Sequence, residues 1–122
     1  MGLDTLYEIR DLEFTGDTFS ASVRFDPSHP VFAGHFPGQP VVPGVALIRI
    51  AGDIANRIAG TELRLKESSN IKFLQLINPE EHHQVQAIGS FSLDDSGNFR
   101  LSAEIRKDDR LFFLFRGNYA AS

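Results

Sequence analysis

Apolar and polar residues alternate with a period of two from Phe19 to Phe25. Phe19, Ala21, Val23 and Phe25 share one face, and Ser20, Ser22 and Arg24 share the other. That period predicts a half-buried strand. A weaker alternation over Leu6 to Phe14 precedes it, with turn chemistry at Thr15-Gly16-Asp17 between the two runs, so the pair predicts a hairpin. From Gly44 to Ala59 the pattern becomes helical. Pro43-Gly44 suits a helix start and Gly60 a stop. This helix is apolar on nearly every side, so it is expected to be buried on most of them. Arg49, Asp53, Asn56 and Arg57 are the exceptions, and at about 100° per residue they fall in one narrow arc.

Further strands are predicted over Ser69 to Ile77, closed by Asn78-Pro79, and over Gln84 to Leu93, Phe99 to Lys107 and Arg110 to Tyr119. Asp94-Asp95-Ser96-Gly97-Asn98 and Asp108-Asp109 supply the turns. Asp26 to Gly44 differs from the rest, holding five of the six prolines and three glycines. Proline fixes φ and removes a donor, so this stretch reads as a long stiffened loop, and loops of that length in a compact domain are often functional. Two strands, one long helix and about four strands predict an α+β domain. One helix cannot cover both faces of a sheet, so the economical solution is an antiparallel sheet wrapped around it.

At 122 residues the chain suits one domain spanning residues 1–122. Eleven Phe against two Tyr and no Trp lean the composition further toward β structure. A formal net charge of -4 argues against nucleic acid as a partner, because that binding rests on neutralising phosphates. It leaves room for a local basic patch that docks an acidic carrier. Without cysteine there are no disulfides, no thiolate nucleophile and no cysteine zinc site. Met1 to Arg10 shows no basic segment leading into an apolar run, and no stretch approaches the roughly 18 apolar residues of a membrane span. A cytoplasmic protein without membrane contact is the expectation.

The chemistry is concentrated in Phe32-Ala33-Gly34-His35-Phe36-Pro37-Gly38-Gln39-Pro40-Val41-Val42-Pro43-Gly44-Val45. A histidine has the pKa for proton transfer near neutral pH. A helix start offers unpaired N–H groups and the positive end of the dipole to a developing negative charge. Gly44 there would let a substrate approach the backbone. Pro37, Pro40 and Pro43 would hold His35 in place beforehand. A lone loop histidine is ordinarily one satisfied by backbone; inside this run the catalytic reading takes precedence.

From Gly34 to Val45 the run resembles, without gaps, the signature of the bacterial 3-hydroxyacyl-acyl-carrier-protein dehydratases. Ile71-Lys72-Phe73 followed by Pro79 is similar to that family's next strand and turn. The resemblance implies a hot-dog fold, a curved antiparallel sheet around one long central helix. It also implies a dimer, homodimeric or with a related hot-dog subunit, with active sites at the subunit interface. The implied substrate is an acyl chain on the phosphopantetheine of acyl carrier protein, with no metal or further cofactor. His35 would be the base and the Gly44 N–H the oxyanion donor. Phe36, Gly38, Val42, Pro43, Val45 and Arg49 would border the substrate. Short members also resemble the dehydratase-like proteins of aryl-polyene pathways. The N-terminal segment looks shortened against the family's.

The family keeps its catalytic carboxylic acid fourteen residues after the histidine, and here that position is Arg49. A guanidinium stays protonated and cannot donate to a leaving hydroxyl. Asp53, about 6 Å further along the helix, is the candidate replacement. The alternative for it is an ion-pair ladder with Arg49 and Arg57 at i−4 and i+4. A related subunit could instead supply the acid, or the chain could bind without dehydrating. Three functions follow: a hydro-lyase, an accessory subunit that binds acyl carrier protein, and a hot-dog thioesterase. His29 is expected to be a solvated loop residue, and His82-His83 a turn rather than a metal pair. Phe112, Phe113 and Phe115 are expected in the sheet core or a dimer contact.

Overall fold

A computed structural model describes residues 2–34 and 38–122. Six strands form one antiparallel sheet. They are β1 (Tyr7–Thr15), β2 (Thr18–Phe25), β3 (Leu63–Phe73), β4 (Gln84–Leu93), β5 (Phe99–Lys107) and β6 (Arg110–Ala121), in the order β1-β2-β4-β5-β6-β3. Helix α1 (Val31–Gly34) and the long helix α2 (Gly44–Ala59) lie between β2 and β3.

The hairpin of β1 and β2 turns at Gly16, whose φ of +67° suits a residue without Cβ. Phe19, Ala21, Val23 and Phe25 are all buried, as their alternation predicts. β1 carries a bulge between Arg10 and Glu13, with Asp11 at φ +55°, which explains its weaker alternation.

α2 begins and ends where the sequence places it. Pro43 is its N-cap, and Gly60 closes it at φ +74° while donating its N–H to the Asn56 carbonyl at 2.9 Å. Ala46, Leu47, Ile50, Ala51, Ile54 and Ala55 are buried against a core that draws on every strand of the sheet. α2 packs against β1, β3, β5 and β6, so the sheet wraps it, as expected. Phe112, Phe113 and Phe115 are fully buried sheet core.

Two segments differ from the sequence reading. β3 starts six residues earlier than expected and ends at Phe73 instead of Ile77. Its register runs from Leu63 opposite Ala121 to Phe73 opposite Phe113, through two irregularities. Charged residues dilute the pattern over its first half, and β6 supplies the pairing that local sequence does not show. Beyond Phe73 the chain leaves the ladder: the Leu74 and Gln75 N–H groups both point at the Phe112 carbonyl, and Val42 N–H reaches the Ile77 carbonyl at 2.9 Å. The second difference is α1, a short helix inside the stretch read as loop. Pro30 precedes it, where a missing N–H costs nothing and a fixed φ helps.

Candidate functional site at the start of the long helix

The proline-rich segment delivers the chain to the amino end of α2. His35 and Phe36 lie outside the described residues. Gly38 sits at φ +86° with open space where a Cβ would be, so conformation and not crowding requires glycine there. Val42 and Pro43 are buried, and Gly44 is the first helical residue. The Ala46 N–H already turns back to the Pro43 carbonyl at 3.0 Å. The Gly44 and Val45 N–H groups before it have no acceptor within the helix, and the dipole adds positive potential.

Gly44 also has a close neighbour that the sequence does not show. A Cβ here would lie 2.9 Å from Cε1 and 3.0 Å from Cζ of Phe73, because that ring rests on the helix start. The ring is 54% exposed on one side and tilted against Phe113 on the other, with centroids 5.2 Å apart. Beneath it lies an apolar cavity of about 280 Å³ whose walls include Val41, Val42, Leu47 and Ile77. Leu76 also lines it and is 74% exposed, and Val45, next in the chain after Gly44, is 61% exposed. A ligand there would meet apolar walls and helix donors together. A larger cleft of about 780 Å³ lies elsewhere, by Tyr7, Arg24 and Arg57, and mixes charges of both signs.

The polar stripe of α2 is organised differently from the expected ladder. Asp53 accepts a hydrogen bond from the Tyr7 hydroxyl. Arg57 Nη1 donates to the Ile9 carbonyl at 3.0 Å, and Asn56 Oδ1 accepts the Leu63 N–H at 2.8 Å. Among the described residues Asp53 forms no ion pair with Arg49 or Arg57. Exposed i,i+4 pairs bring only a few tenths of a kcal/mol, whereas a buried phenol without an acceptor costs about 1–3 kcal/mol. The stripe therefore stitches α2 to β1 and to the start of β3. Burial first, and then the hydrogen bond to Asp53, hold the Tyr7 hydroxyl well above its ordinary pKa; the nearby Arg49 guanidinium opposes this. Burial, with a smaller contribution from Asp53, pushes Tyr119 up to about 12. Arg49 itself is exposed.

Neither tyrosine stood out in the sequence. The signal was compositional: in a chain of eleven Phe and two Tyr, each added hydroxyl on a core ring needs a partner. His29 also corrects the sequence reading, being buried rather than solvated. Its Nδ1 accepts the Val31 N–H at 3.0 Å, so Nε2 carries the proton and faces Thr5 Oγ1 at 3.0 Å and the Gly2 carbonyl at 3.2 Å. A polar ring that satisfies the first N–H of α1 and the N-terminal turn is worth burying. His82 packs on Phe112 and lies 3.2 Å from Arg110 Nη1. Among the described residues no group of three or more His, Asp or Glu is placed to hold a metal, and no helix is long and apolar enough to cross a membrane.

Comparisons with known proteins bear on this geometry. A family model described as ApeI-like, ApeI dehydratase, matches residues 11–112. An uncharacterized thioester dehydrase of Halalkalibacterium halodurans is 39% identical over 62 residues, 51% of this chain and 38% of that protein. The 3-hydroxyacyl-acyl-carrier-protein dehydratase FabZ of Geotalea uraniireducens is 35% identical over 74 residues, 53% of this chain and 51% of that protein. FabZ of Chlamydia pneumoniae is 29% identical over 110 residues, 83% of this chain and 69% of that protein. The chain thus spans about half or less of the first two relatives. Among solved structures, the dehydratase heterocomplex ApeI:P of Xenorhabdus doucetiae superposes with a TM-score of 0.68 at 18% identity, over 93% of this chain and 96% of that one. A hypothetical thioesterase with coenzyme A from Streptococcus pneumoniae gives 0.69 at 10% identity, over 99% and 91%. At those identities the likeness is one of fold, and the fold is the hot-dog arrangement.

Proposed function

We propose, on the premise that this chain belongs to the ApeI-like dehydratase family, that it removes water from 3-hydroxyacyl thioesters carried on acyl carrier protein, in fatty-acid or polyene-type lipid synthesis in the cytoplasm. The observation that supports this most is the opening of α2: a glycine start with free-standing dipole, directly above an apolar cavity and directly after the histidine motif. His35 takes the C2 proton, and the Gly44 N–H stabilises the thioester oxygen as charge develops on it. The electrons of the C2–H bond become the C2–C3 double bond as the C3–O bond breaks, and the hydroxyl leaves as water with a proton given by an acid, Asp53 or one from a second subunit. Phe36, Gly38, Val42, Pro43 and Val45 border the acyl path, with Arg49 beside it. The carrier's phosphopantetheine is the only prosthetic group involved.

On α2 itself Asp53, one turn beyond the vacated acid position, is the only carboxyl group. To serve as the acid it has to release the Tyr7 hydroxyl and take up a proton. That engagement, with Arg49 in the acid's place, favours a second reading. The chain then keeps the acyl cleft as an accessory subunit, and a related hot-dog subunit supplies the acid across a heterodimer interface. In either case a dimer is the working unit.

One assay separates these readings: the purified chain is incubated with a 3-hydroxyacyl carrier protein while enoyl product and free thiol are followed. Enoyl formation that falls at least about 100-fold in His35→Ala supports the hydro-lyase. Saturable binding without product, with turnover only when a related subunit is added, supports the accessory role. Free thiol as the product overturns both in favour of hydrolysis.

A further inference from the structure

The outward face of the sheet carries a charged concavity that this chemistry leaves unused. Ser90 of β4 pairs with Ser102 of β5, which pairs with Arg116 of β6. Two residues along, Ser92 pairs with Arg100, which pairs with Asn118. Paired residues and their i+2 neighbours share a face. The alternate residues Phe91, Leu101, Ala103 and Phe115 are buried in the core, so this grid of hydroxyls, guanidiniums and an amide points away from α2. With Ser69 of β3 it lines a concavity of about 530 Å³, and no carboxylate is part of that lining.

Arg100 and Arg116 stand diagonally across β5 and β6, a placement of roughly 7–8 Å. Like charges at that spacing oppose each other unless an anion lies between them. Among the described residues neither guanidinium forms an ion pair. Asp94 and Asp95 line a separate hollow on the far side of Arg100 and Ser92, and three nearby carboxylates are already engaged. Glu67 accepts from Asn118 Nδ2 at 3.1 Å, and Glu104 pairs with Arg106 at 3.0 Å. Asp94 Oδ1 accepts from the Ser96 N–H and hydroxyl and from the Asn98 N–H. Those bonds, chiefly the Ser96 hydroxyl, hold Asp94 below the usual carboxylate range, with Arg100 adding a smaller share through space. In a chain of net charge -4, two uncommitted arginines in a serine-lined hollow are a local inversion of the overall charge.

We propose that this hollow binds a phosphoryl group. The Arg100 and Arg116 guanidiniums grip its oxygens, and the Ser90, Ser92 and Ser102 hydroxyls donate to those that remain. Planar guanidiniums match phosphate oxygens in pairs, and hydroxyls turn to suit. The hollow is larger than a bare phosphate ion requires, which fits a phosphorylated small molecule. The site lies on the opposite face of the sheet from α2 and is independent of the thioester reading.

Amide NMR spectra of the full chain, titrated with inorganic phosphate and separately with adenosine monophosphate, test it. Saturable shifts are expected at residues 90–92, 100–102 and 116–118. Affinity at least about tenfold higher for the nucleotide identifies a phosphate ester as the occupant, and equal affinities identify free phosphate; both outcomes place a phosphoryl group here. Arg100→Gln and Arg116→Gln are each expected to weaken binding about tenfold or more, the loss of a charge-assisted hydrogen bond. In phosphate-free buffer each should leave the Tm unchanged or raise it, because a like-charge contact is relieved. No saturable shift at these residues, or undiminished binding in the folded double variant, overturns the proposal.

Discussion

The first turn of α2 and its polar stripe are parts of one helix, yet their neighbours behave in opposite ways. At the first turn the neighbours can move. The Phe73 ring is half exposed, Val45 and Leu76 more so, and the cavity beneath is apolar and unfilled by side chains. Along the stripe the neighbours are committed: Tyr7 to Asp53, Leu63 to Asn56, and the Ile9 carbonyl to Arg57. The stripe fixes where the helix lies, and the amino end is left adaptable. On the proposed function, a helix that presents its donors to a flexible acyl chain needs both properties, on different turns.

The largest effect that tests this contrast belongs to the stripe. Tyr7→Phe leaves the Asp53 carboxylate without its donor inside the fold, and a loss of about 2 kcal/mol is expected, the range for a hydrogen bond to a charged group. Denaturant unfolding measures it. A change of a few tenths of a kcal/mol would mean that water replaces the hydroxyl freely and that the stripe is not a fixed seam.

Alkaline unfolding is expected to be weaker but diagnostic. Both tyrosines titrate higher in the fold than in the unfolded chain, where the ordinary value is 10.0. A raised pKa means that the unfolded state ionises first. The stabilisation is therefore complete below pH 10.0 and is lost as pH rises toward the Tyr119 value of about 12. Tyr119→Phe should flatten that decline when stability is followed against pH; an unchanged slope would remove Tyr119 from the account.

The smallest expected effect is at the amino end. Gly44→Ala drives a methyl group into the Phe73 ring edge, but the ring has solvent on its other side and can swing outward. Overpacking that a neighbour can relieve, partly offset by the helix preference of alanine, should cost no more than about 1 kcal/mol. A Tm drop matching that of Tyr7→Phe would show the amino end to be as rigid as the stripe.

Much of this was legible beforehand. The bounds of α2, β4 and β5 follow from period and turn chemistry alone, because Gly44, Gly60, Asp94 and Asp108 punctuate the chain where the elements change. The first half of β3 was not legible, since Arg64, Lys66 and Glu67 obscure a strand whose pairing comes from distant β6. His29 looked like any loop histidine, because the groups that bury it, Gly2 and Thr5, are more than twenty residues away. The helix opening was legible as a motif. The close neighbour of Gly44 was not, because it is a ring 29 residues further along the chain. The Asp53–Tyr7 contact was hidden for the same reason: i,i+4 spacing suggested local partners, and the fold supplied a non-local one.

The central claim is that the amino end of α2 grips an acyl thioester. Amide NMR during titration with a 3-hydroxyacyl pantetheine thioester tests it most directly. The account predicts saturable shifts at Gly44 and along residues 41–47 and 73–77, with the Asp53 amide little changed. Saturable binding that leaves Gly44 unmoved while shifting residues elsewhere would contradict it.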